Sequence, residues 1–395
     1  MGTEEETTTL FQSVSPLPSP LNSRSSASSS LSSTEIDLQN HQHQDKDDDD
    51  DDDDDGDPGP CFLVVGNYCH DVLFRDGVVV GEGLGGAASF VSNVFNSLFA
   101  SSSHLFHSCY VSKVGTDFAY THTLPGRHPP LVSPTAATTL FHGHFPSLAS
   151  ADLADRVLKR VHSCDPILPS DLPSSKFRFG LAVGVGGEIP PLTLARLLDL
   201  CALVFVDAQS LIRTFDPSDG TVGLIPLKDS EFSSLVSRIG FLKVSAEEAP
   251  FLDIDEARKW CCVILTQGKD GCSLFWKDGH SQVLPFPTVQ IDPTGAGDSF
   301  LGAFVAGLAM GLGVQESALL GNFFGSLTVG QIGIPKFDQQ MMQKIKQELE
   351  RNATSNDGLC GRNDAPKFQK SLMHEELRAF LLEVARLQNT DGATY

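Results

Sequence analysis

Five short segments of this chain are apolar at almost every position. They are Cys61 to Gly66 ("CFLVVG"), Phe179 to Val185 ("FGLAVGV"), Ala202 to Asp207 ("ALVFVD"), Phe241 to Val244 and Cys262 to Thr266. Each is too short for an ordinary helix, and none alternates apolar with polar residues. A strand of that kind has both faces covered, which is the situation of a parallel strand inside an α/β sheet. Helical patterns lie between the runs, such as Thr193 to Leu200 and Glu231 to Arg238. Strands alternating with helices predict an α/β fold built on a doubly wound, mostly parallel sheet. Ligands of such sheets bind beyond the carboxyl ends of the strands. Val72 to Val80 differs, because Asp76-Gly77 sits between alternating apolar residues and reads as a hairpin projecting from the main sheet.

Charge separates the N-terminal segment from the rest. Residues 1–59 hold 2 basic and 16 acidic side chains, which is −14 of the total −22. They include a Ser-rich run from Ser23 to Ser33 and nine consecutive aspartates, Asp47 to Asp55. A segment so poor in apolar residues cannot offset its ordering entropy, and a disordered, self-repelling arm is expected. The acidic balance of the remainder disfavours nucleic acid, whose binding runs on Lys and Arg neutralising phosphates. No run of 18 apolar residues marks a membrane span. Nine cysteines stand without a C-x-x-C pair or repeated spacing, and with no signal peptide evident this points to reduced thiols in the cytosol. His104, His107, His122, His128, His142 and His144 cluster in sequence, but their spacing fits no zinc pattern. After a polar loop from Asn352 to Lys367, Leu377, Phe380, Leu381 and Val384 fall at helical spacing, so a helix over Leu372 to Leu387 should dock on the body.

Two glycine-rich segments compete for a phosphate. Gly81, Gly83 and Gly86 satisfy G-x-G-x-x-G, but the hairpin intervenes between them and the first strand, so the dinucleotide context fails. No Walker A sequence is present. The second segment is Ile291 to Phe300, "IDPTGAGDSF", followed by Leu301, Phe304, Val305 and Leu308 at helical spacing. A helix should start near Ala296 or Gly297. Glycine backbone amides at a helix N-terminus, with its dipole, form an anion site. Asp298 in the first turn is placed to take a proton from an attacking hydroxyl, as phosphoryl transfer to an alcohol requires. The plainer reading is a glycine-rich helix start on which Asp298 merely favours the dipole.

Asp292 to Val305 resembles, throughout its length, the signature of the PfkB (ribokinase-like) carbohydrate kinases. Further elements appear in that family's order over roughly residues 61–345. Gly66 to Asp71 ("GNYCHD") resembles its first-strand motif, which implies substrate contact by Asn67 and Asp71. Gly85-Gly86 resembles the di-glycine lining the sugar site. Asp207 resembles a strand-end aspartate of the family. Ser245 to Glu248 resembles its N-x-x-E motif, with Ser245 replacing Asn, and implies an indirect link from Glu248 to magnesium. Thr266 to Gly271 resembles the T-x-G-x-x-G nucleotide segment, so Ser245, Thr266, Gly268, Gly271 and Asn322 are implied on the ATP side. Each has a plainer alternative: a solvated helix start at Glu247-Glu248, a strand-to-hairpin turn at Thr266, an ordinary helix residue at Asn322. The resemblance implies an αβα sandwich over residues 60–345 with a small β lid near 72–84 and 110–142, and leaves 1–59 and 346–395 outside. It also implies ATP and Mg²⁺ as cofactors, Asp298 as base, and Gly295, Ala296 and Gly297 as the anion cradle. The protein would act as a monomer or homodimer. Three stretches, "VVGNYCHDVLF", "LGGAASFVSNVF" and "KVSAEEAPFLDI", look most like the branch whose acceptor is the polyol myo-inositol. Phe90, where ribokinases often carry Asn, argues against ribose. A kinase of another sugar or nucleoside, and a noncatalytic scaffold of the same fold, are the other readings.

Overall fold

The computed structural model describes residues 61–99, 106–123, 129–145, 157–352 and 368–391. The acidic arm, His104, His128 and nearly all of the polar loop after Asn352 lie outside the described residues.

The five apolar runs form neighbouring parallel strands of an eight-stranded sheet. From one edge its order is Ser108–Val111, Phe62–Val65, Phe177–Ala182, Cys201–Asp207, Phe241–Ser245 and Cys262–Thr266. Cys272–Trp276 and Gly279–Val283 then continue it as an antiparallel edge. Alternate side chains of the inner strands feed two separate cores. Phe62, Val64, Phe179, Leu181 and Phe205 join one; Leu63, Val65, Ala182, Val204 and Val206 join the other. Each such side chain contributes about 1.5–3 kcal/mol when fully buried, so runs apolar at every position are what a sheet covered on both faces requires.

The first core receives helices Ala87–Phe99, Ala296–Ala309, Val314–Val329, Gln339–Asn352 and His374–Asp391. The second receives Pro191–Leu200 and short turns. The helix after the signature is buried from Ser299 through Ala309 on every side, not on a single stripe. Gly302 explains this: a Cβ there would lie 3.2 Å from Val91 Cα, so only glycine lets the helix Ala87–Phe99 come so close. A helix enclosed on all sides is apolar all round. Glu231 to Arg238 departs from expectation, since only a 3₁₀ stretch, Ser233–Arg238, forms there. Ser230 donates its hydroxyl to Leu227 O and accepts from Phe232 N, offering the backbone an alternative to the α-helix.

A second sheet of four strands runs Val78–Gly85, Cys69–Arg75, Leu140–Phe145, Val157–His162. Asp76 and Gly77, both at positive φ (51° and 77°), make the tight hairpin turn. The expected 110–142 portion is divided: Ser108–Val111 belongs to the main sheet, and Lys113–Gly115 pairs with Leu131–Ser133 as a separate ribbon. His144 stacks on Phe74 and His142 packs tilted against it, and among the described residues no three His, Cys, Asp or Glu side chains are grouped to hold a metal. The C-terminal helix docks through Leu377, Leu381 and Val384. Buried Glu316 fastens its start, accepting from Ser371 N and Oγ at 2.9 and 3.0 Å and meeting His374 Nδ1 at 3.2 Å.

Candidate active site

Because the central strands are parallel, their carboxyl ends fall along one edge of the sheet, where Asn67, Asp207, Ser245 and Thr266 stand side by side. The signature turn packs over that edge. Gly295 is the N-cap of the helix Ala296–Ala309 and sits at φ 75°, a left-handed conformation that favours glycine. A side chain at Gly295 would also run into the ring of Phe90. The turn is braced from below by Asp292, whose Oδ1 accepts from Thr294 N at 2.9 Å. The first turn of a helix has no preceding carbonyl to bond, so its amides with the helix dipole favour an anion.

Under this turn lies a buried charge network. Lys243 Nζ is 2.9 Å from Asp207 Oδ2, with the side chains 6% and 0% exposed. Lys243 is also directly beneath the turn: a Cβ on Gly297 would lie 2.8 Å from Nζ. Burial by itself would push the Lys243 ammonium down, but Asp207, Glu248 and Asp298 outweigh it and hold it charged, above the ordinary lysine range. Burial pushes the Asp207 carboxyl up and Lys243 opposes that. Gln209 Nε2 reaches Asp207 Oδ2 and Asp298 Oδ1, each at 3.3 Å. A cleft partly open to solvent faces Asp298. Asp71, Gln209, Arg213, Thr294 and Gly295 line it, closed on one side by Leu73, Phe141, Phe145 and Leu158 of the second sheet and by Phe90.

Of the residues singled out from sequence, Asp71, Gly86, Gly295 and Asp298 line this cleft together. Gly85 stands behind Asp71, since a Cβ there would collide with the Asp71 carboxyl. Asn67 is completely buried and does not line the cleft; its Oδ1 accepts from Lys113 N at 2.7 Å, and its backbone N donates to Glu188 Oε1 at 2.9 Å. Ser245 and Thr266 pair across adjacent strand ends. Ser245 N donates to Glu248 Oε2 at 2.9 Å, and Glu248 N donates back to Ser245 Oγ at 3.3 Å, so serine still closes the turn in which the family pattern has Asn. Gly268 and Gly271 take positive φ in the turn leading to Cys272. Asn322 donates both to Val283 O and to Leu284 O, at 3.0 and 3.1 Å, so its amide tethers the end of the edge strand.

Sequence reasoning passed over Lys243, Gln209, Arg213 and Glu188. Lys243 carried a signal, a lone cation inside an apolar strand. Gln209 and Arg213 follow Asp207 closely, in the strand-end turn where ligands gather. Glu188 carried none; it accepts from three backbone amides, those of Asn67, Val185 and Gly186.

A glycine-rich helix start, a carboxylate in its first turn and a cleft at the carboxyl edge of the sheet are the parts that phosphoryl transfer to an alcohol requires. The chain matches the profile of the pfkB family carbohydrate kinases over residues 229–337. It is 51% identical over 330 residues, 82% of each chain, to an inositol 3-kinase of Oryza sativa subsp. japonica. It is 49% identical to that of Zea mays over 84% of this chain and 88% of the relative. The corresponding figures for Arabidopsis thaliana are 51%, 80% and 87%. The protein belongs to the pfkB carbohydrate kinase family. Two solved structures share the fold at low identity. A pyrophosphate-dependent kinase in the ribokinase family, complexed with a pyrophosphate analog and myo-inositol, gives a TM-score of 0.57 at 16% identity, covering 72% of this chain and 99% of that one. Arabidopsis thaliana ribokinase with ribose and ATP gives 0.53 at 17%, covering 72% and 98%.

Proposed function

We propose that the protein is an ATP-dependent kinase of myo-inositol that forms inositol 3-phosphate, a product able to feed phytate synthesis. The observation that carries this reading is Asp298, half-buried in the first turn of the Gly295–Gly297 helix start and facing a cleft shared with Asp71 and Arg213. The inositol 3-kinase relatives, similar over most of their length, support the choice of acceptor. An inositol hydroxyl oxygen attacks the γ-phosphorus while its proton passes to Asp298. The bond from that phosphorus to the bridging oxygen breaks, and its electron pair leaves on ADP. The amides of the helix start and the Lys243 ammonium beneath them stabilise the negative charge on the transferring group. Asp71 and Arg213 hold the remaining hydroxyls. The second sheet serves as the lid, whose apolar side chains exclude water.

Ser245, Thr266, Gly268 and Gly271 form the nucleotide side, and Asn322 supports it by pinning Val283 and Leu284. Mg²⁺ fits this donor set: it usually enters such sites on substrate phosphates, keeping several waters and one or two carboxylates, and Glu248 is the buried carboxylate adjoining the phosphate turn's lysine. When bound, the ion would neutralise phosphate charge, with Glu248 acting through water. We place the enzyme in the cytosol, where cysteines without a repeated spacing stay reduced. Among the described residues no helix is long and apolar enough to cross a membrane.

The test is a panel of myo-inositol, ribose, fructose and adenosine with Mg²⁺ and either ATP or pyrophosphate, the product being assigned by phosphorus NMR and, because the 1- and 3-phosphates are mirror images, by chiral chromatography. ATP-dependent formation of inositol 3-phosphate is expected. Turnover of ribose or adenosine in its place would overturn the acceptor, and turnover with pyrophosphate alone would overturn the donor.

A further inference from the structure

We propose that Gln209 is the positioning residue of the base: its side-chain amide ties the Asp298 carboxylate to the buried Asp207–Lys243 pair and so aims it at the acceptor hydroxyl. The inference rests on the kinase reading above and assigns a role to a residue outside every motif that led to it.

The geometry is a bridge. Gln209 is 6% exposed and lines the cleft. Its Nε2 lies 3.3 Å from Asp207 Oδ2 and 3.3 Å from Asp298 Oδ1, and its backbone N lies 3.3 Å from Asp207 Oδ1. An ionised carboxylate only accepts hydrogen bonds, and the amide NH₂ has two hydrogens. Two acceptors on one side therefore settle which way the amide faces. One end of the bridge is immobile, since Asp207 is wholly buried and held at 2.9 Å by Lys243. The other end, Asp298, stands in a first helical turn and lines the cleft, and the Gln209 amide is one of the groups that hold its carboxylate. A displacement of an ångström at a reacting group can cost about 10²-fold in rate.

Charge explains why the bridge is an amide. Asp207, Glu248 and Asp298, from three different elements, act on the single Lys243 ammonium, and Asp71 and Arg213 face Asp298 across the cleft. A carboxylate at position 209 would add a fourth negative charge and favour protonation of the base. A second cation would make Asp298 too weak a base. A neutral donor fixes the orientation and adds no charge beside the base.

Steady-state kinetics over pH on Gln209→Leu and Gln209→Glu, beside the full-length wild type and Asp298→Asn, test this. Gln209→Leu should lower kcat by about 10- to 100-fold while the KM for inositol changes by less than about threefold. Its acidic limb of kcat should move to higher pH, and in Gln209→Glu it should move further, by about one unit or more. Thermal unfolding of both variants checks that the fold is kept; Gln209→Leu is close in volume and carries the test if the charged variant does not fold. A raised KM with kcat intact would make Gln209 a substrate contact only and overturn the inference. An unmoved acidic limb would overturn it too, with Asp298→Asn, slowed by about 10²–10⁴, as the reference for loss of the base. Absence of turnover by wild type itself would overturn the kinase reading and this inference with it.

Discussion

The two walls of the cleft are built on opposite terms. One wall is the carboxyl edge of the eight-stranded sheet, where Asp207, Lys243, Gln209 and Asp298 form a continuous polar chain, buried at its inner end. The other is the four-stranded sheet, which presents Leu73, Phe141, Phe145 and Leu158 to the same space and leaves Val78, Val79 and Val80 exposed beyond it. The polar wall is anchored on strands covered on both faces, so its groups keep fixed distances. The apolar wall is attached through a hairpin and crossing strands with one face open. The chemistry therefore sits where the backbone cannot yield, and the shape-fitting surface sits where it can.

If this division is right, the largest effect belongs to the polar wall. Asp298→Asn should lower kcat by about 10²–10⁴ with little change in the KM for the polyol, because a positioned general base is lost; initial rates at saturating substrate measure it. Equal losses in kcat and in polyol affinity would blur the distinction between the walls. Next comes Lys243→Met, which strands the fully buried Asp207 without its cation. Breaking a buried pair in this way costs about 3–5 kcal/mol of stability, read as a lowered denaturation midpoint. The double variant Lys243→Met, Asp207→Leu should recover much of that loss.

The apolar wall should respond in the opposite column. Leu158→Ala should raise the KM for inositol about five- to tenfold and leave kcat within about twofold, as expected for lost contact in a hydrophobic pocket. A larger fall in kcat than in affinity would mean that the second sheet takes part in chemistry. The smallest effect lies far from both walls. Burial would push the Glu316 carboxyl up, but hydrogen bonds from His374 and Ser371 outweigh it and hold it below its ordinary value. A depressed carboxyl contributes stability above its unfolded pKa and loses it as pH falls through the folded one. Loosening of the C-terminal helix, followed by amide exchange, should therefore begin below the ordinary glutamate value of 4.5 and grow on further acidification. Glu316→Gln should show the same loosening at neutral pH with kcat unchanged.

How much of this was readable in the chain varies by element. The inner strands were legible to within two or three residues because burial on both faces favours apolar side chains at nearly every position, Lys243 being the exception. The hairpin at Asp76-Gly77 was legible because two consecutive positive φ values restrict the residue types. The signature helix start was legible for a similar reason: at Gly295 backbone conformation and the Phe90 ring both exclude a side chain. The helix expected over Glu231 to Arg238 failed where the Ser230 hydroxyl took up backbone bonds, a competition that periodicity does not register. Asn322 was placed toward the nucleotide by its motif position, whereas its amide is spent on two carbonyls of the edge strand.

By itself the sequence determined the parallel α/β sheet, the glycine-rich helix start and the carboxylate standing in its first turn, since each depends on neighbours in the chain. Only the tertiary structure decided what surrounds that carboxylate. Gln209 lies 89 residues from Asp298, and Lys243 lies 36 from Asp207. Parallel pairing brings the strand ends to one edge, and packing of the signature helix onto that edge closes the network. Contacts of that kind follow from how strands are ordered in the sheet, which no local pattern of residues encodes.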